Sequence, residues 1–188
     1  MDCSSLLEII VKRNIDEDNR EIYREFIDFL MQQTGMDTIE NKRESLPAVM
    51  TYAEVETMAV HLSWQLQLLE TRGNSLLFWQ MTDIWWVDKK FYLLADLTQL
   101  VPLHIKNPLQ MVLNYPAIFP LPKKNCAPEL LKMSALPFIA HKSLSYYSLA
   151  LLCLQKLNLS LEEIKGTKLF YFLERCLKDE PTERYLYL

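Results

Sequence analysis

The chain has very little glycine: among 188 residues there are three, Gly35, Gly73 and Gly166. A loop that cradles phosphate brings several backbone N–H groups onto the ligand, and clustered glycines make that approach possible. Glycines this far apart disfavour a nucleotide site of the glycine-loop type. Histidine is equally scarce. His61, His104 and His141 have no second His or Cys at metal-ligand spacing, so no zinc site is expected. None sits in a Ser or Cys arrangement suited to nucleophilic catalysis, and all three read as structural residues. No apolar run reaches the roughly 18 residues that a membrane span needs. The opening "MDCSSLLEIIVKRN" puts an acid, not a basic region, before a short apolar stretch, so no signal peptide is expected. Basic excess is missing too. A net charge of −4 and a pI near 5.5 argue against a general nucleic-acid binder, which carries a basic face.

What is present points to an ordered core. Half of the residues are hydrophobic and 11% are aromatic, enough for a single domain over 1–188 and too many for disorder. Cys3, Cys126, Cys153 and Cys176 are far apart and each has apolar neighbours. That pattern predicts buried, reduced thiols.

Apolar spacing predicts the elements. Residues 4–12 read as a short helix and 17–33 as a second, with Ile22, Phe26, Phe29 and Leu30 on one face. Residues 36–47 read as a loop. Thr51 caps a long helix to about Glu70, whose buried face is Val55, Met58, Ala59, Leu62, Leu66 and Leu69. The stretch "TDIWWVDKKFYLLAD" predicts a hairpin that turns at Asp88, Lys89 and Lys90, with Ile84, Trp86, Phe91 and Leu93 facing the core. Residues 101–128 are rich in proline and read as an irregular apolar segment. Ser143 or Ser145 then caps a helix to about Leu157. A turn at 161–164, a helix over 168–178 and a short last helix from Pro181 follow. The sum is a mainly α chain with one small β-hairpin.

That order, with these residues, resembles the C-terminal lobe of the protein-kinase family. The hairpin "DIWWVDKKFYLLADLT" resembles the strand pair between a catalytic loop and the metal-binding Asp-Phe-Gly, with Asp83 at the Asn position and Asp96 at the metal Asp. "CAPELL" matches Ala-Pro-Glu at Ala127, Pro128 and Glu129. "SYYSLALL" resembles the start of the central helix, matching at Ser148 and Leu149. "TKLFYFLERCLKDEPTERYLYL" resembles the closing helices, whose Arg, here Arg184, pairs with the Glu of Ala-Pro-Glu. "SSLLEII" resembles the helix after the hinge. The last stretches, with "LPFIAHKSLSYYSLALL", are also similar to kinase-like proteins of giant and other large cytoplasmic DNA viruses.

The departures imply lost chemistry. The resemblance begins after the hinge, so the small ATP-binding lobe is absent from it. The His-Arg-Asp positions fall on Leu76, Leu77 and Phe78, and the catalytic Lys position on Gln80. Phosphoryl transfer needs a carboxylate to take the hydroxyl proton and metal ions held by Asp and Asn; Phe78 supplies neither. Thr98 replaces the Gly after the metal Asp, and Ser145 replaces the Asp that ties down the catalytic loop.

The resemblance therefore implies a pseudokinase: no enzymatic activity, no ATP, metal or other cofactor, and no nucleic-acid or membrane partner. Its expected role is a protein-interaction module with viral or host protein partners, in the host cytoplasm, at the virus factory or in the virion. The alternative is a structural virion component that uses the fold as a packing unit. Glu129 and Arg184 are expected to form a buried bidentate bridge. Asp96 reads as a strand-end turn residue, because one carboxylate without phosphates holds Mg²⁺ poorly. Trp79 and Trp85 are the expected partner-binding anchors, on the face a missing lobe would uncover, with Asp88, Lys89 and Lys90 as a polar rim.

Overall fold

In a computed structural model, the described residues are 17–34, 43–97, 99–114 and 124–187. The expected helix over 4–12, Cys3 and Thr98 lie outside them.

Helix α1 (Glu17–Thr34) and helix α2 (Tyr52–Thr71) pack on one another. Thr51 starts α2 with a capping box: its side chain accepts from the Glu54 N–H, and the Glu54 carboxylate accepts from the Thr51 N–H at 2.7 Å. All six apolar residues predicted for its inner face are fully buried. Ile22, Phe26 and Ile27 bury α1, and Phe29 stacks on Trp64 of α2 with centroids 3.6 Å apart. Arg72, just past α2, bridges back to Glu25 of α1.

Strand β1 (Arg43–Glu44), β3 (Ile84–Val87) and β4 (Phe91–Leu94) form an antiparallel sheet in the order β1-β3-β4. The turn at 88–90 holds both Asp88 and Lys89 at positive φ, 50° and 56°. Trp86 and Tyr92 face each other across β3 and β4 with parallel rings. The bond from Ala95 N–H to Asp83 C=O fixes the ladder's phase, so Tyr92 and Leu94 aim their backbone groups away from β3. Side chains of α2 meet them there. Gln65 donates to the Tyr92 carbonyl and accepts from the Leu94 N–H, both at 2.9 Å, and His61 Nδ1 accepts from the Tyr92 N–H. The open edge of β4 is thus closed by a helix.

The expectation of a mainly α chain with one hairpin is not met: the chain is α+β. The proline-rich stretch read as irregular holds β5 (Leu100–His104) and β6 (Asn107–Leu113). With β2 (Asn74–Leu76) and β7 (Phe138–His141) they form a second antiparallel sheet, in the order β2-β5-β6-β7. Proline signalled loop because it cannot donate to a ladder. The sheet accommodates Pro102 because the pairing of β5 with β6 skips it and shifts register at Leu103 and His104. Pro108 is exposed near the start of β6.

Helix α3 (Pro128–Leu131) precedes β7. Helix α4 (Leu144–Leu157) and helix α5 (Lys168–Cys176) follow it. Single turns at Met81–Asp83, Glu162–Ile164 and Pro181–Glu183 complete the described elements. Ser143 precedes α4 but does not cap it; its hydroxyl donates to the Pro181 carbonyl at 2.7 Å.

The buried side chains form two clusters. The larger joins α1, α2, β3, β4, α4 and α5. The smaller lies under the second sheet, with Leu77, Phe78, Val101, Met111, Leu113, Leu130 and Leu144. Cys126, Cys153 and Cys176 are buried free thiols. Burial pushes Cys126 up to about 11 and Cys176 up to about 12, which leaves both protonated and unreactive.

The Gln65 clamp yields a stability prediction. Gln65→Leu keeps the volume but strands the Tyr92 carbonyl and the Leu94 N–H in the core, at about 1–3 kcal/mol for each group. Urea unfolding should show a loss of about 2–6 kcal/mol with unchanged slope. A loss below about 0.5 kcal/mol, the size of a surface effect, would show that the clamp carries no weight.

Candidate functional site

The positions that the resemblance equates with His-Arg-Asp, Leu76, Leu77 and Phe78, lie between the two cores. Leu76 and Trp79 belong to the larger cluster, and Leu77 and Phe78 to the smaller. Ser75 is fully buried with them. The segment is tied to α4. Ser148 Oγ accepts from the Trp79 N–H at 2.7 Å, and the Trp79 indole donates to the Ser145 carbonyl at 3.0 Å. Ser145 Oγ donates to the Lys142 carbonyl and lies 3.5 Å from Ser75 Oγ. Asn125 donates to the Trp79 carbonyl. Neutral hydroxyls therefore fasten this segment, at the place where the resemblance implies a carboxylate.

Trp79 is fully buried, and this corrects its assignment as a partner anchor. It sits in a run of five buried residues and its indole N–H is already bonded, so it has no face to offer. Trp85 is half-buried in β3, opposite Leu93. Gln80 is half-buried as well.

Asp83 and Asp96 come close enough to interact. Burial, with the Asp96 charge adding to it, raises the Asp83 carboxyl to about 6, against the opposing hydrogen bond from the Thr82 hydroxyl at 3.1 Å. Asp96 is half-buried and has interactions of its own. Among the described residues, no group of three or more His, Cys, Asp or Glu side chains could hold a metal ion.

Glu129 and Arg184 meet as a bidentate pair. The Arg184 Nη1 and Nη2 donate to the two carboxylate oxygens, the second at 3.0 Å. Arg184 has a fully buried side chain, while Glu129 keeps 22% exposure. The guanidinium also donates to the Lys178 and Asp179 carbonyls and lies 4.8 Å over the Tyr147 ring. It thus fastens α3 to α4 and to the segment after α5. Tyr147 is a partner that sequence reasoning did not name; its spacing from Arg184 gives no signal.

One Ser–His contact was also missed. His141 Nδ1 lies 2.8 Å from Ser143 Oγ. Ser143 is fully buried and its hydroxyl proton is directed to Pro181, so the pair lacks the access and the proton path of a nucleophile and base. Burial and the cations Lys142 and Arg184 hold His141 below its usual pKa, against Glu129 and Glu180. His61 is buried in the α2 clamp, with desolvation lowering it to about 4, and His104 is exposed. Both are without catalytic neighbours.

No protein-family model matches the chain, and no curated protein matches it. No helix among the described residues is long and apolar enough to cross a membrane.

Two measurements probe these groups. Arg184→Ala leaves the Glu129 carboxylate unpaired and two carbonyls without their donor. Full burial of an orphaned charge costs roughly 3–5 kcal/mol; the exposure of Glu129 puts the expected loss near about 3 kcal/mol. A urea midpoint equal to wild type would show the bridge to be without weight. For Asp83 the folded pKa lies above the unfolded one, 3.8 against about 6. Between those values the folded state holds the proton and the unfolded state does not, so stability falls as pH rises from about 4 to 6. Asp83→Asn should remove that slope and stabilise the chain at pH 7 by about 2–3 kcal/mol. An Asn variant that keeps the slope would place its origin elsewhere.

Proposed function

We propose that the chain is a non-catalytic binding module for protein partners, a pseudokinase whose former catalytic segment has become structural. Phe78 carries this reading. The resemblance puts the proton-accepting carboxylate of phosphoryl transfer there, and that side chain is 3% exposed within an apolar cluster. Nothing at that position can take a proton from a hydroxyl. Leu77 is its fully buried neighbour in the same cluster, so an alternative group cannot reach the same place without disturbing that core. Viral origin and action in the host cytoplasm rest on the resemblance alone.

A binding role draws support from the surface. Ile105 is fully exposed, Ile139 is 61% exposed, and Leu109, Leu131 and Leu136 are each over a third exposed. Ile105, Leu109 and Ile139 belong to the second sheet and its β5–β6 turn, and Leu131 and Leu136 precede β7 in the chain. Exposed apolar side chains of this size are available to a partner surface.

The test is a thermal melt with and without Mg-ATP, beside a phosphotransfer assay. A ligand at a hundred times its Kd adds about 2.7 kcal/mol of stability. The melts should coincide, with no phosphoryl transfer above background. A saturable upward shift in melting temperature would contradict the proposal.

A further inference from the structure

Two side chains of α2 close the β4 edge, and only one of them can change its hydrogen-bonding sense. Gln65 carries a donor and an acceptor in one amide, and it serves the Tyr92 carbonyl and the Leu94 N–H whatever the pH. His61 accepts the Tyr92 N–H at Nδ1, 3.3 Å away. That bond requires the neutral imidazole with its hydrogen on Nε2. A second proton binds at Nδ1 and sets N–H against N–H. The ring has little to offset such a charge. It is 7% exposed. From β4 it faces the Tyr92 ring, with centroids 6.1 Å apart; burial and the Glu54 carboxylate keep that phenol neutral. Glu54 itself is held in the capping box with Thr51. Helix α1, β2 and α4 also pack on α2, yet among the described residues burial alone sets the His61 pKa, at about 4.

We propose that His61 is an acid-sensitive latch on the β4 edge: on taking up a proton it leaves the Tyr92 N–H and opens that half of the edge, while Gln65 holds the other half. An imidazole whose folded pKa lies below its unfolded 6.5 contributes stability above about that pH and loses it as pH falls toward about 4. The loss is local, because the imidazolium has only to swing out of the clamp and the amide of Gln65 does not titrate. Opening exposes one backbone N–H of β4 beside a clamped one. Asp83 titrates over the same range with the opposite sign, since its folded pKa is raised; it strengthens the fold as pH falls. Global stability therefore masks the latch, and a residue-specific measurement reveals it.

Amide hydrogen exchange followed by NMR on the full chain is that measurement. Tyr92 and Leu94 lie on the same edge, one N–H held by His61 and the other by Gln65, so each amide is the other's control. From about pH 7.5 to about pH 4.5, after correction for the intrinsic pH dependence of exchange, Tyr92 should lose protection on the order of fiftyfold relative to Leu94. His61→Gln keeps an acceptor in that place without a titrating group, and its two amides should keep a constant ratio. The imidazole nitrogen shifts of the wild-type chain should show hydrogen on Nε2 at neutral pH and a titration well below 6.5. Tyr92 protection that tracks Leu94 at every pH would overturn the proposal. So would the same pH-dependent ratio in His61→Gln, or a His61 titration at or above 6.5. Should His61→Gln not fold, the wild-type ratio and the imidazole titration decide.

Discussion

The run 75–79 imposes the main constraint on the fold. It has five consecutive buried residues, so both faces of the chain are covered there and its backbone cannot turn to water. Its partners come from every side. Ser75 pairs with Val101 of β5, Leu77 N–H reaches the Gln99 carbonyl, and Trp79 is held by Ser148 and Asn125. Because Leu76 and Trp79 face one core while Leu77 and Phe78 face the other, this run joins the two halves. A catalytic loop needs polar side chains that can reach substrate and a backbone left accessible to it. This segment offers neither and is the joint of the molecule. Serines at the start of α4 suffice to hold it, because no charge has to be oriented.

The other long-range ties follow the same rule of giving buried polar groups definite partners. Glu70, near the end of α2, takes Lys142 at 2.5 Å and the Tyr146 hydroxyl at 3.0 Å, which links the first core to the β7–α4 corner. Lys156, 3% exposed, donates to the Pro47 carbonyl at 2.6 Å, while the Met50 N–H bonds back to its own carbonyl. The approach to α2 is thereby fastened to the end of α4. Burial lowers the Lys156 pKa, so this tie is made against a desolvation penalty and depends on its carbonyl acceptor. Arg184 does the same for α3 and the chain after α5. Each of these three cations fixes segments far apart in sequence, and each is held by carbonyls or carboxylates.

Much of the helical half was legible because local rules and burial agree there. Thr51 and Glu54 announce the start of α2, and the 3.6-residue repeat names its inner face. The hairpin and its turn were legible, but its facing was not: Ile84 and Trp86 lie opposite Leu94 and Tyr92, so Phe91 and Leu93 are on the other face, and all four residues of β4 are buried; α2 covers the edge of β4 through Gln65, a polar residue that alternation assigns to no face. The second sheet was not legible. Pro102 and Pro108 carry the signature of a loop, and only the tertiary register shows that Pro102 falls where the ladder is skipped. Trp79 was misplaced for a different reason. Its exposure was argued from a lobe missing by analogy, while the local sequence "SLLFW" had a simpler message: an apolar run without alternation is covered on both sides. The Glu129–Arg184 pair, 55 positions apart, was accessible through the resemblance alone, since nothing in either local sequence points to the other.

The two sheets treat their edges differently. The outward groups of β4, at Tyr92 and Leu94, are met by side chains of α2 that imitate a further strand. The outward groups of β7, at Ile139 and His141, meet no such helix side chain among the described residues. Open edges invite pairing with other chains, and proteins restrain them by keeping the strand short or placing proline and lysine beside it. All of these restraints surround β7. It is four residues long, Pro137 precedes it and Lys142 follows it. They limit how much chain can add there without closing the edge. The short length of β7 therefore limits what can pair there to a brief extended segment.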